Sequence, residues 1–194
     1  MAPSGRQTSS SSSRAAAGSV VAMSDLILPV LHGERLTLRP LTEKHLDRLV
    51  EVMWDPSVLR WWGTVASLEA LREDLRHDGN AFAIEVDGAV AGWLGVVEEN
   101  EPDYRHVALD IGLGPEHQNR GLGPEALRTV IRWLIGERGH HRFTIDPAVA
   151  NERAIRAYAA VGFRPVGVLR RYERGPDGTW EDGLLMDLLA DELR

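Results

Sequence analysis

One segment constrains this chain more than any other: an alternating, strand-like run that leads through a glycine-containing loop into a helix. The run is Val107-Ala-Leu-Asp-Ile-Gly-Leu113, and the loop is Gln118-Asn-Arg-Gly-Leu-Gly123. Both loop glycines let the backbone approach a ligand closely, and the N–H groups of a first helical turn have no intrahelical partner. Together with the helix dipole, these N–H groups form an anion site suited to a pyrophosphate, to which Arg120 adds a guanidinium.

Two better-known phosphate-binding motifs do not fit this segment. A dinucleotide-binding loop needs a third glycine and an acidic residue about 20 positions downstream, and this chain has neither. A Walker loop needs Gly-Lys-Ser/Thr, whereas the one lysine of the sequence is Lys44. The segment therefore predicts an anion site of a different class.

Hydrophobic periodicity predicts one α/β domain with a mixed sheet flanked by helices. Period-two alternation predicts strands over residues 35–40, 81–86, 89–98, 107–113, 142–145, 164–174 and 180–189. Helical spacing predicts helices that start at Thr42 and at Asp55-Pro56, and further helices over 68–76, 121–138 and 151–161. Asp87-Gly88 is a strong hairpin signal. The strand–helix–strand unit over 107–145 predicts a parallel strand pair with a right-handed crossover.

Composition excludes several functions. The 194 residues include 22 Lys+Arg and 29 Asp+Glu, a net charge of −7, which argues against nucleic-acid or anionic-membrane partners. Cysteine is absent, which excludes disulfides, thiolate metal sites and an acyl-cysteine mechanism, and we expect no metal. No stretch approaches the roughly 18 apolar residues of a membrane span. We therefore predict a cytoplasmic protein, either a monomer or a homodimer.

The first 24 residues have a composition that does not form a core. They include the homopolymer Ser9–Ser13 and an alanine run, so they bury too little apolar surface to offset the entropy of ordering. We predict a disordered leader over 1–24 and a single domain over 25–194. Whether Met1 or Met23 is the working start is left open.

The loop Gln118-Asn-Arg-Gly-Leu-Gly123 resembles the Gln/Arg-x-x-Gly-x-Gly loop of the Gcn5-related N-acetyltransferase (GNAT) superfamily. A second segment, Asn151-Glu-Arg-Ala-Ile-Arg-Ala-Tyr158-Ala-Ala-Val-Gly-Phe163, is similar to that superfamily's Asn-x-x-Ala-x-x-x-Tyr-x-x-x-Gly-Phe segment. The resemblance extends over about residues 34–189. It implies the GNAT fold, a mixed and mostly antiparallel sheet in which one parallel strand pair splays apart.

The resemblance implies acetyl-CoA as co-substrate, with the pantetheine arm in the gap between the splayed strands. Asn151 would bond a pantetheine amide. Tyr158, two helical turns further on, would be the general acid that protonates the departing sulfur. The implied cofactor-binding residues are Ile111, Gly112, Leu113, Gln118, Asn119, Arg120, Gly121, Leu122, Gly123 and Asn151.

Acetyl transfer to an amine also needs a proton acceptor, because an ordinary amine is protonated near pH 7. Asp110 lies between Ala108 and Gly112 on one face of the predicted strand, and such small neighbours indicate open space for a substrate. The alternative is an acid on a solvated sheet face. Asp146 follows the partner strand, so both carboxylates border the predicted gap.

A narrower resemblance connects Arg60-Trp-Trp-Gly63, the Asp110 strand and Ile145-Asp-Pro-Ala-Val-Ala-Asn151 with aminoglycoside 6′-N-acetyltransferases. It implies that Trp62, Asp110 and Asp146 line the acceptor pocket, that Asp110 is the base, and that the acceptor is a small cationic amine. Glu99, within the acidic stretch 98–103, is a further candidate at the rim, although a solvated loop is expected for most of those acids. Of the adjacent tryptophans, we predict one in the core and Trp62 exposed.

Other functions stay open at this point. Residues 33–41 and 171–186 look more like protein N-terminal acetyltransferases of the ribosomal-protein type. A hydroxylamine acetyltransferase of siderophore assembly would carry a catalytic histidine, and the nearest histidines, His106, His140 and His141, are predicted at the surface. A binding module without catalysis is disfavoured by the intact loop and by Tyr158.

Overall fold

The computed structural model describes residues 28–62, 67–77 and 80–194. The predicted leader over 1–24 and Gly63 of the tryptophan motif lie outside the described residues. The helices are α1 Glu43–Trp54, α2 Pro56–Leu59, α3 Leu68–His77, α4 Leu122–Gly136 and α5 Glu152–Val161. The strands are β1 Leu31–His32, β2 Thr37–Pro40, β3 Ala81–Val86, β4 Ala89–Glu99, β5 His106–Leu113, β6 Arg142–Ile145, β7 Arg164–Arg174 and β8 Trp180–Leu189.

The strands form one sheet in the order β1-β2-β3-β4-β5-β6-β8-β7. Every neighbouring pair is antiparallel except β5 and β6, which α4 connects as a parallel crossover. The mixed sheet predicted from the sequence is therefore confirmed. Among the described helices, none is both long and apolar enough to cross a membrane.

The parallel pair separates soon after it begins. β5 pairs with β4 along its whole length, from His106 to Leu113. It pairs with β6 at only two positions, Val107 with Phe143 and Ala108 with Thr144. From Leu109 onward, β5 therefore borders a gap on its β6 side, and this is the splay that the GNAT resemblance implied.

Local signals explain where the elements next to the gap begin and turn. Asp55 caps α2, because its Oδ1 accepts the Ser57 N–H at 2.9 Å. Asp87 and Gly88 have φ of 51° and 79°, the left-handed pair that a two-residue hairpin between β3 and β4 requires. The Asp87-Gly88 turn sets β3 against β4, and β4 in turn pairs with β5.

The two faces of the sheet are covered differently. α4 packs on the face that carries Val107 and Leu109, in a core that also includes Phe143 and Met186. On the opposite face, α1 packs over β4 and reaches β5 at Gly112, and α3 packs against α1. Trp93 lies in this second core. Past this helical cover, Val97 on β4 is 65% exposed. The helices thus leave open the part of this face near Asp110.

The end of β4 differs from the prediction of a solvated acidic loop. The side chain of Glu98 is only 3% exposed, and its carboxylate binds Arg138 at 3.0 Å and lies 3.1 Å from Nε2 of His140. His140, predicted at the surface, is buried, so that prediction is wrong. The reason is that the turn after α4 brings Arg138 and His140 over the end of β4, a contact between residues about 40 positions apart in the chain.

The His140 cluster predicts a pH-dependent stability. Burial lowers the pKa of His140, and the raising influence of Glu98 does not offset it. The folded protein then keeps this ring neutral at a pH where the unfolded chain binds a proton, so the free energy of unfolding falls as pH drops below about 6.5. We expect His140→Gln to flatten this pH dependence in chemical unfolding curves recorded from pH 5 to 8. The exposed neighbour His141→Gln serves as control, and parallel profiles for wild type and His140→Gln would contradict the assignment.

Candidate active site

Gly112 on β5 lets an aromatic side chain lie against the strand. A Cβ at this position would lie 3.1 Å from Sδ of Met53 and 3.2 Å from the Trp62 ring. Trp62 also packs edge-to-face on Trp93, with ring centroids 5.0 Å apart. Trp62 is therefore half-buried rather than exposed as predicted. It packs against the apolar cluster that contains Met53 and Trp93, which holds its ring beside β5. Trp61 is also half-buried, with the Arg60 guanidinium 4.3 Å above its ring.

Asp110, next to Gly112 on the same strand, lines a small cleft. One oxygen of its carboxylate accepts the backbone N–H of the next residue, Ile111, at 3.0 Å, and this bond holds the carboxylate against the strand. The cleft has a volume of about 40 Å³, and Asp146 and Trp62 also line it. Two carboxylates and two tryptophans therefore face one small space. This arrangement suits a cationic group, because carboxylates attract it electrostatically and aromatic faces attract it through their quadrupole.

A wider cleft of about 400 Å³ begins beside this one and runs along the splayed strand to the start of α4. Most of the predicted cofactor-binding residues line it. They are Ile111, Gly112, Leu113, Gln118, Asn119, Gly121, Leu122, Gly123 and Asn151. The structure thus brings together positions that are separated by up to 40 residues in the sequence.

The loop before α4 has the backbone shape of an anion site. Gly121, the N-cap of α4, has φ of 77°, and Asn119 has φ of 58°. The side chain of Gln118 braces this loop, since its Nε2 donates to the Leu113 carbonyl at 2.8 Å and its Oε1 accepts a hydrogen bond from Arg153. These bonds hold the loop in one position, so the first-turn N–H groups of α4 lie at a defined end of the wide cleft.

Helix α5 contributes Asn151 and Tyr158 to both clefts. Asn151 is the N-cap of this helix, and its Oδ1 accepts the Ala154 N–H at 3.2 Å, which leaves the Nδ2 amide as the donor toward the cleft. Tyr158 is 9% exposed and packs edge-to-face on Phe163, so its ring has a defined orientation. Gly162 ends the helix with φ of 124°.

The two clefts share five lining residues, Trp61, Trp62, Ile111, Asn151 and Tyr158. An anion site at one end is therefore continuous with a carboxylate-lined space at the other. A long ligand with a phosphate group could reach from the α4 loop to Asp110. Chemically, such a site can bring an activated group on the long ligand to a cationic partner, with Asp110 and Tyr158 as proton-transferring groups.

Two predicted residues do not line either cleft. Glu99 lies on the same sheet face as Asp110 but at the far end of β4, paired with His106, and its carboxylate accepts the Glu101 N–H at 2.8 Å. The Arg120 side chain is exposed, and only the carbonyl of this residue has a described role, as acceptor from Arg35. Among the described residues, no group of three or more His, Asp or Glu could hold a metal ion.

Sequence reasoning missed several residues of the wide cleft, above all His117 and Arg153. His117 lies in the single 3-10 turn before the loop, and Arg153 occupies an unspecified position of the Asn-x-x-Ala segment. Arg153 lies two positions after Asn151, about 200° around the helix, so helical spacing alone places it away from the face that carries Asn151 and Tyr158. No sequence pattern indicates that it contacts Gln118, 35 residues away.

Comparison with known proteins gives one consistent family. Residues 35–164 match the acetyltransferase (GNAT) domain family. The N-alpha-acetyltransferase RimI of Mycobacterium tuberculosis is 31% identical over 88 residues, which cover 45% of this chain and 53% of that protein. The chain thus spans about half the length of this relative.

Two further similarities extend over most of the chain. The aminoglycoside N(6′)-acetyltransferase type 1 of Klebsiella pneumoniae is 27% identical over 168 residues, covering 75% of this chain and 80% of that protein. The crystal structure of a GNAT-family acetyltransferase from Bacillus anthracis superposes with a TM-score of 0.73 at 19% identity. The superposition covers 84% of this chain and 100% of the Bacillus anthracis protein. At 19% identity, this similarity shows a shared fold only.

Proposed function

The chain belongs to the GNAT acetyltransferase family, and we propose that it transfers the acetyl group of acetyl-CoA to an amine of a small cationic acceptor. Our leading candidate for the acceptor amine is the 6′-amino group of an aminoglycoside. The observation that carries the proposal is the continuity of the two clefts: the cleft that starts at the anion site before α4 joins the space lined by Asp110 and Asp146.

The wide cleft fits acetyl-CoA by its chemistry. Its α4 end offers backbone N–H groups to a pyrophosphate, and the unpaired side of β5 offers main-chain groups from Leu109 onward to pantetheine amides. Asn151 offers Nδ2 to the same arm. When bound, acetyl-CoA supplies an activated thioester carbonyl that an amine can attack.

The residues at the junction supply the proton transfers. In this proposal an amine in the small cleft is held as a cation by Asp110 and Asp146, and the Asp110 carboxylate accepts the proton that the amine must lose before it attacks. The Tyr158 hydroxyl, from helix α5, donates a proton to the departing sulfur. Half-buried Trp61 and Trp62 line the same junction.

We assign Asp146 to acceptor binding rather than to proton transfer. Asp146→Asn removes one negative charge from the small cleft but leaves Asp110 and Tyr158 in place. We expect KM for a polycationic amine to rise about tenfold, as for the loss of one charged contact, while kcat changes little. Initial-rate kinetics with a polycation and with a monoamine of similar size check this, because the monoamine should be affected less. A fall in kcat with unchanged KM would instead make Asp146 a proton-transfer group.

Protein N-terminal acetylation is the second candidate, and one observation favours it. The sheet face beyond Asp110 continues uncovered over half-buried Ala108 and exposed Val97, a surface along which an extended peptide could lie. The similarity to RimI agrees with this candidate. A peptide acceptor would insert only its terminal amine into the small cleft.

One assay separates the acceptors. Thiol release from acetyl-CoA is followed with an aminoglycoside panel and with short peptides, and the products are identified by mass spectrometry. The panel includes a pair of aminoglycosides that differ only in an amine or a hydroxyl at position 6′. We expect turnover with the 6′-amine, and at least tenfold less with its 6′-hydroxyl partner. Acetylation of peptides alone would reject the aminoglycoside proposal, and equal turnover of the matched pair would reject the 6′ position.

A further inference from the structure

The segment between β1 and β2 is joined to the anion-binding loop by one arginine. Arg35 donates its backbone N–H to Oε1 of Glu125 at 2.7 Å and its Nε–H to Oε2 at 2.8 Å. Its NH1 group donates to the Arg120 carbonyl at 2.8 Å. A Cβ at Gly33 would lie 2.8 Å from the Glu125 carboxylate, so a glycine there leaves room for this ion pair. These contacts connect residues 85 and 90 positions apart.

The bond to the Arg120 carbonyl determines which way the next peptide N–H points. In a trans peptide the carbonyl and the following N–H are antiparallel, so holding the Arg120 carbonyl toward Arg35 directs the Gly121 N–H away from Arg35. Gly121 lines the wide cleft with a φ of 77°, a left-handed conformation that glycine adopts without steric cost but does not by itself prefer. The Arg35 contact therefore selects one orientation of the 120–121 peptide in a loop whose glycine permits several.

The bond to Glu125 addresses a charge problem. Glu125 is in the first turn of α4, where an acid stabilises the helix but also repels a phosphate at the same end. Its carboxylate is 13% exposed, so solvent screens it poorly, and the Arg35 guanidinium lies 2.8 Å from it. When this ion pair is formed, Glu125 still stabilises the first turn of α4, but Arg35 neutralises its charge, so the pair does not repel an anion bound at the same helix end.

From these contacts we propose that Arg35 is a positioning residue for the pyrophosphate of acetyl-CoA. It acts by fixing the 120–121 peptide and by neutralising Glu125, and it need not touch the ligand. This inference rests on the proposed function, since it assumes that the wide cleft holds acetyl-CoA.

Arg35→Ala is the first test, measured with two thioesters. We expect KM for acetyl-CoA to rise about tenfold, with KM for the amine unchanged, as expected for the loss of one charged hydrogen bond. With S-acetylpantetheine, which has no pyrophosphate, kcat/KM should equal that of the wild type. Arg39→Ala is the matched control, because Arg39 forms a comparable ion pair with Glu85 on β2 and β3, away from the loop.

Two further variants separate the charge from the geometry. Arg35→Lys keeps the positive charge but cannot bond Glu125 and the Arg120 carbonyl together as a planar guanidinium does, so we expect an intermediate KM for acetyl-CoA. The double variant Arg35→Ala/Glu125→Gln should bind CoA more tightly than Arg35→Ala, because the uncompensated carboxylate is gone. If Arg35→Ala folds poorly, Arg35→Lys still tests the role of Arg35 in binding acetyl-CoA.

Calorimetric titration with CoA distinguishes the possible failures. If wild-type protein does not bind CoA, the proposed function is wrong and this inference falls with it. If wild type binds CoA and both Arg35 variants bind equally well, the positioning role alone is rejected. Equal losses of kcat/KM with acetyl-CoA and with S-acetylpantetheine would also reject it, since they would indicate general damage to the fold.

Discussion

Asp110→Asn is expected to lower kcat/KM for the amine by about 100-fold or more and to leave CoA affinity unchanged. The substitution preserves shape and the ability to accept the Ile111 N–H, because an asparagine oxygen can make the bond that the carboxylate makes at 3.0 Å. It removes the proton acceptor and one of the two negative charges that face the small cleft. The expected loss therefore falls on catalysis and acceptor binding and not on the structure of β5.

Three measurements make this result specific. Calorimetry gives CoA affinity, initial rates give kcat and KM for the amine, and thermal unfolding reports on the fold. Asp191→Asn, at an exposed aspartate after β8, is the matched control and should behave as wild type. Turnover by Asp110→Asn within about threefold of wild type would remove Asp110 from the proton-transfer step.

Tyr158→Phe is expected to lower kcat by about 100-fold or more, the usual size of a lost general acid, with little change in either KM. Phenylalanine retains the packing on Phe163, so the ring and helix α5 should stay in place. Tyr104→Phe is the control, because Tyr104 is 74% exposed in the turn before β5.

The leaving group supplies a sharper test of the Tyr158 role. If the hydroxyl protonates the departing sulfur, its loss should matter less for an acetyl thioester whose thiol has a low pKa, since that thiolate leaves without a proton. We expect the ratio of wild-type to variant kcat to shrink with an aryl thioester. A ratio that is the same for both thioesters would show that Tyr158 contributes by packing or binding.

Much of the fold was predictable from local signals. The structure reproduces the predicted bounds of β3, β6, β7 and β8, because turns such as Asp87-Gly88 and alternating apolar residues determine them within a few positions. The crossover from β5 through α4 to β6 followed from the order of elements. β1 was missed because a two-residue strand has too few residues to show a period.

The contacts that sequence reasoning did not find connect distant parts of the chain. Glu98 lies beside His140, and Arg35 binds Glu125, because the folded structure brings these distant positions together. Trp62 was predicted to be exposed, but its ring packs against Gly112, where the absence of a side chain leaves room for it. The Trp-Trp pair alone does not indicate this contact with a distant strand. Long-range packing of this kind has no local pattern.

Residues that a motif specified lie beside one another, and their roles in binding and catalysis stay predictions. Asp110, Asp146 and Tyr158 all line the small cleft. Glu99 does not line either cleft. It was predicted only because its stretch is acidic and precedes β5, and neither feature determines where the side chain lies. Arg153 was missed because its importance lies in a bond to Gln118 and not in its position within the motif.

The most direct test of the central claim is a crystal structure with a bisubstrate analogue, in which the CoA sulfur is linked through an acetyl group to the 6′-nitrogen of an aminoglycoside. We predict the pyrophosphate at the Gly121–Gly123 loop and the pantetheine arm along β5. The linked nitrogen should lie within hydrogen-bonding distance of Asp110, directly or through one water, and the sulfur near Tyr158. An analogue bound with its aminoglycoside outside the cleft that Asp110 and Asp146 line would contradict the account.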